Sequence, residues 1–188
     1  MGDRALAKQD AKDALALADS KTADAFSAVA LGLSGDSAQA TRLASDLAKR
    51  FPEDTIVRSE YLPMIRASVY LREGDARMAI ETLEAAAPYE LGRDTSLDPI
   101  YLRGEAYLAA KEASAARSEF QKILNYPGVV ANEPIGALAH LGLGRAYALA
   151  GDSAKAKTSY QDFFALWKNA DPDIPILIQA KAEYAKLK

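Results

Sequence analysis

The sequence contains no cysteine and a single histidine, which excludes disulfides, thiolate metal sites and any chemistry that needs two imidazoles. A chain without cysteine suits a reducing or an oxidising compartment equally well, so cellular location stays open. No apolar run approaches the roughly 20 residues needed to cross a bilayer. Met1-Gly2-Asp3-Arg4 lacks the apolar stretch of a secretion signal, and direct membrane insertion by this chain is not expected. Neither charge sign dominates: 23 basic against 26 acidic residues give a net charge of -3. That leaves no basic footprint for a phosphate backbone, and nucleic acid is not an expected partner. β-Branched residues are sparse while alanine is the commonest residue; alanine loses no side-chain entropy on entering a helix, so composition leans all-α.

Self-similarity organises what is present. Gly35-Asp36-Ser37-Ala38-Gln39-Ala40, Gly74-Asp75-Ala76-Arg77-Met78-Ala79 and Gly151-Asp152-Ser153-Ala154-Lys155-Ala156 recur, the first two 39 residues apart and the third 77 further on. The missing copy is Lys111-Glu112-Ala113-Ser114-Ala115-Ala116. In each clear copy glycine ends one helix in the left-handed conformation and aspartate caps the next, so each is a tight helix-turn-helix. Lys111 replaces glycine at a position that needs positive φ, and that turn is expected to be longer or slightly strained.

Around the turns the side chains keep a fixed spacing. His140, Leu143, Gly144 and Tyr147 precede the last turn, and Ala156 and Tyr160 follow it. Ile100, Arg103, Gly104, Tyr107, Ala116 and Phe120 repeat the pattern, as do Pro63, Arg66, Ala67, Tyr70, Ala79 and Leu83; Ala28, Leu31, Ala40, Ala44 and Pro52 keep less of it. The spacing resembles that of tetratricopeptide (TPR) repeats, W-x2-L-G-x2-Y followed by A-x3-F. The resemblance implies an all-α fold: a right-handed TPR superhelix, or α-solenoid, of about four helix-turn-helix units. We expect these units at residues 21-54, 60-91, 97-128 and 137-168, within an array over 21-168. Loops are expected at Phe51 to Ser59, Pro88 to Pro99 and Asn125 to Pro134, which are rich in Pro, Gly, Asp and Asn. About ten helices and no sheet should result.

Residues 1-20 read as a leading helix, the second half of a truncated repeat, in a chain excised from something longer. Residues 172-188 read as a C-terminal capping helix, since a solenoid needs its last apolar face covered. Two segments, 134-147 and 166-187, add a narrower resemblance, to the C-terminal TPR region of bacterial eukaryotic-like Ser/Thr protein kinases. That resemblance implies a parent protein with ATP chemistry, often membrane-anchored. None of the chemistry is written in this chain, because a phosphate loop, an H-R-D-x-x-x-x-N segment and a D-F-G site are all lacking.

No catalytic, cofactor-binding or metal-binding residue is expected. Gly142 and Gly144 read as close-packing positions, His140 as helix packing, and Trp167 as an anchor beneath the capping helix. Tyr70, Tyr107 and Tyr147 read as structural. Arg66 and Arg103 either reach past packed stems to solvent or pair with a carboxylate in a neighbouring unit. What remains for function is the inner face of each unit's first helix. Steps of three and four place Tyr61, Met64, Ser68 and Arg72 there, then Tyr101, Glu105 and Leu108, then Leu141 and Arg145. The expected role is a protein-interaction scaffold that binds a peptide or protein segment in a concave groove lined by these residues, as the TPR domain of such a kinase. The alternative is a self-association module that makes homo-oligomers. Because Met64, Tyr101 and Leu141 stand where chaperone-binding TPR proteins begin their carboxylate clamp, a free C-terminal carboxylate is not the expected ligand.

Overall fold

The structure is a computed structural model, and it describes residues 3–18, 20–92 and 97–187. Eleven helices and no strand are found among the described residues. They are α1 (Arg4–Leu17), α2 (Lys21–Ser34), α3 (Ser37–Arg50), α4 (Leu62–Glu73), α5 (Ala76–Leu83), α6 (Asp98–Ala109), α7 (Ala113–Leu124), α8 (Pro127–Val130), α9 (Ile135–Leu149), α10 (Ser153–Leu166) and α11 (Pro175–Tyr184). The fold is all-α and TPR-like. Two compact units make it up, Asp3–Leu102 and Arg103–Lys188, with α6 spanning the division.

One turn recurs at every repeat. Gly35, Gly74 and Gly151 have φ of 100°, 86° and 79°, and the next residue closes each turn by donating its backbone N–H to a carbonyl five positions back. These bonds are Asp36 to Leu31 at 2.8 Å, Asp75 to Tyr70 at 2.9 Å and Asp152 to Tyr147 at 3.0 Å. Each aspartate carboxylate then accepts from the N–H of Gln39, Met78 or Lys155, so it satisfies a donor that the new helix would otherwise leave bare. The Lys111 turn is no longer than the others. Glu112 donates to Tyr107 at 2.8 Å, the same closure, and Lys111 takes φ 62° to achieve it. Strain therefore replaces length, and the Glu112 side chain makes no cap bond.

Two of the expected loops contain helix. The chain is helical from Thr55, passes through a π-helical turn at Val57–Tyr61 and runs directly into α4. Pro127 opens the single-turn α8 inside the other stretch, which raises the helix number above the expected ten. Proline is permitted at the start of a helix, where its missing N–H has no partner to lose, so a Pro-rich stretch need not be a loop. Residues 93–96, in the remaining expected loop, lie outside the described residues.

In the unit Asp3–Leu102 the core is built from small residues on crossing helices. Ala25, Ala28 and Leu31 of α2, Ala40, Ala44 and Leu47 of α3, and Met64, Ile65 and Ala67 of α4 are buried. Gly32 faces the Ser68 hydroxyl so closely that a Cβ would collide with it. In the unit Arg103–Lys188 the ring of Phe120 on α7 is fully buried between Gly104 of α6 and Gly142 of α9. A Cβ on Gly142 would stand 2.5 Å from Phe120 Cζ, and one on Gly144 would stand 2.8 Å from Tyr160 Cδ2. The two glycines thus let α9 settle between α7 and α10 at backbone distance. Arg103, only 4% exposed, pairs with Glu119 at 2.6 Å. Glu119 lies across the same turn, on α7.

Candidate functional site

Close packing leaves α9 as a floor with α7 and α10 as walls. Above it runs a groove of about 1080 Å³. Gln121 and Leu124 of α7 form one wall, and Lys155, Thr158 and Asp162 of α10 the other, while His140 and Tyr147 lie on the floor. The connection through α8 closes one end, where Ala131 has φ 47°. A non-glycine residue in that region is strained, and such strain is held in place only by surrounding structure.

The groove's two ends differ in charge. At the Tyr147 end, Arg117 and Lys155 both lie over the tyrosine ring, at 5.4 and 5.5 Å from its centroid. Lys155 also pairs with Asp152 at 3.1 Å. The N–H of Lys155, then its ammonium, holds the Asp152 carboxyl below its ordinary pKa. At the other end, His140 Nδ1 stands 3.7 Å from Asp162 Oδ2. Burial lowers the His140 pKa and outweighs the opposite pull of Asp162, so the imidazole is neutral at pH 7. Trp167, half-buried, packs its ring 5.0 Å from that of Phe163 and also lines the groove.

The opposite side of α9 is covered by α11. Leu177 and Ala180 join Ala137, Leu141, Tyr160 and Phe163 in one buried cluster. Next to it Arg145 donates to Glu183 through Nε at 2.9 Å and Nη2 at 3.2 Å; the Tyr160 hydroxyl donates to the same carboxylate at 2.9 Å and the Gln179 amide at 2.7 Å. Glu105 Oε1 lies 3.9 Å from Arg145 Nη1. Burial, then the bond to Glu183, pushes the Tyr160 pKa well above its ordinary value.

The first-helix residues expected to line a groove divide into two sets. Tyr61, Met64, Ser68 and Leu141 are buried. Met64 and Ser68 lie in the core of their unit, where Ser68 faces Gly32 of α2; the Tyr61 hydroxyl shares a hydrogen bond with Thr22 at 3.2 Å; and Leu141 lies beneath Leu177. Arg72, Tyr101, Glu105, Leu108 and Arg145 keep accessible surface. Arg72 is exposed and crosses over the Gly35 turn, its Nε 3.2 Å from where a Cβ on that glycine would stand. Counting first helices overlooked the α7–α10 groove because its walls are second helices. The available signal was Lys155, Thr158 and Asp162, spaced by three and four and so on one face of α10.

Among the described residues no group of three or more His, Asp or Glu side chains is placed to hold a metal ion, and no helix is long and apolar enough to cross a membrane. Paired helices closed by left-handed turns and packed through small residues define an all-α repeat protein. Residues 138–169, which cover most of α9 and all of α10, match the family model described as Tetratricopeptide repeat. This is a non-catalytic repeat type that generally mediates protein–protein interaction. No curated protein and no solved structure matches the chain.

Proposed function

We propose that this chain is a protein-interaction scaffold that binds a peptide segment of another protein in the groove over α9. The observation that supports it most is the groove itself, whose α10 wall and whose floor residues His140 and Tyr147 lie in the stretch with the repeat match. Its volume of about 1080 Å³ is at the upper end of what a bound small molecule fills, and its open, mixed polar and apolar lining suits a chain segment. Arg72 and Tyr101 in one unit, and Glu105, Leu108 and Arg145 in the other, do not line that groove and are proposed as separate contact residues, each within its own unit. The resemblance of segments 134-147 and 166-187 to the C-terminal TPR region of bacterial Ser/Thr protein kinases supports the narrower reading, an interaction domain that serves such a kinase.

A random-peptide display library panned against the protein tests the reading. Thr158 is exposed on the α10 wall, so Thr158→Trp fills the groove without replacing a core residue. Selected peptides should bind the wild type and fail on this variant while its helical dichroism is unchanged. Peptides that bind both forms equally would place the site elsewhere on the molecule.

A further inference from the structure

The groove over α9 has one basic and one acidic end, and this polarity describes its occupant more narrowly than shape does. On the floor, His140 and Tyr147 are seven residues apart; on the wall, Lys155 and Asp162 are also seven apart. Seven residues are about two helical turns, so the two ends lie roughly 10 Å from each other along α9 and α10. Arg117 and Lys155 lie over the same tyrosine ring at one end, where Lys155 pairs with Asp152. At the other end Asp162 stands beside a neutral imidazole, and Glu133 lines the groove from the connection into α9.

We propose that the groove binds a peptide in polyproline II-like extended form carrying a basic and an acidic side chain about three residues apart, the basic one at Asp162 and the acidic one at Lys155, with Arg117 behind the same tyrosine ring. The spacing follows from length and facing, since a polyproline II segment rises about 3.1 Å per residue and repeats every three, so side chains three apart share a face roughly 9 Å from each other. The order follows from charge complementarity, which fixes register more than it adds affinity. Between the charged ends the segment carries small apolar side chains that lie over His140 and against Leu124. This inference rests on the peptide-groove reading above.

The test uses three fluorescent peptide pools, Lys-x-x-Glu, Glu-x-x-Lys and Gln-x-x-Gln, with x drawn from Ala, Val and Leu, and fluorescence anisotropy as the readout. One of the charged pools should bind best, its order set by the direction in which the chain lies. Asp162→Lys alone should weaken that pool about fivefold, the upper range for a solvent-exposed ion pair. Lys155→Glu combined with Asp162→Lys should transfer the preference to the other charged pool. That exchange cannot come from misfolding, because it is a gain of binding. Equal binding of all three pools, lost on Thr158→Trp, would overturn the charge assignment and leave the peptide-groove reading standing. No binding by any pool would overturn the assignment as well.

Discussion

Arg145 of α9 and Glu183 of α11 meet through two hydrogen bonds, at 2.9 and 3.2 Å, and Glu183 also accepts from Tyr160 and Gln179. Burial by itself would raise the Glu183 pKa, but these donors outweigh it and hold the carboxyl below its ordinary 4.5. A depressed folded-state pKa means stability that is fully present above the unfolded value and lost as pH falls through the folded one. Glu183→Gln should therefore cost about 2 kcal/mol at pH 7, the value of a partly buried charged hydrogen bond. Below pH 4.5 the difference between the two proteins should shrink. Urea unfolding at a series of pH values measures this; a difference that stays constant through the acid range would contradict the assigned role of the carboxylate.

Removal of residues 172-188 should uncover Leu141, Tyr160 and Phe163, which are buried in one cluster with Leu177 and Ala180. An apolar face laid open at the end of a repeat array favours association, so the shortened protein should aggregate or melt at a clearly lower temperature. A monodisperse protein with unchanged melting would show that α11 contributes nothing to the unit.

Lys111 has φ 62° at the turn where the other repeats have glycine. A left-handed residue with a Cβ costs roughly 1–2 kcal/mol, partly offset by the greater freedom of glycine in the unfolded chain. Lys111→Gly should thus stabilise the protein by about 1 kcal/mol, read as a small rise in the midpoint of thermal unfolding. A loss of stability would mean that the lysine side chain holds the turn in a way the backbone does not explain.

Met64 and Leu141 are each fully buried. Met64→Ala and Leu141→Ala should each cost about 3 kcal/mol by cavity formation, and peptides bound over α9 should keep their affinity for whichever variant remains folded. Unchanged stability combined with lost binding would restore both residues to a contact surface.

Much of this arrangement is legible in the residues because it is local. A glycine that must take positive φ and an aspartate that must accept the first free N–H are decided within about six residues, and each of those turns lies where the repeat places it. The π-helical entry to α4 was not legible, since proline near a helix start and proline in a loop look alike along the chain. Periodicity assigned Met64, Ser68 and Leu141 to the correct helices. It could not tell whether their face meets water.

By itself the sequence determined an all-helical chain, four turns of one design, and the small residues that let helices cross closely. Only the tertiary structure decided which faces remain open. Ser68 is closed off by Gly32 and Leu141 by Leu177, whereas Lys155 and Asp162 stay exposed along a groove to which α7 supplies the second wall. The reason is physical: helix formation depends on neighbours three and four residues away, but exposure depends on which other helix arrives above, and that is set by packing between segments tens of residues apart.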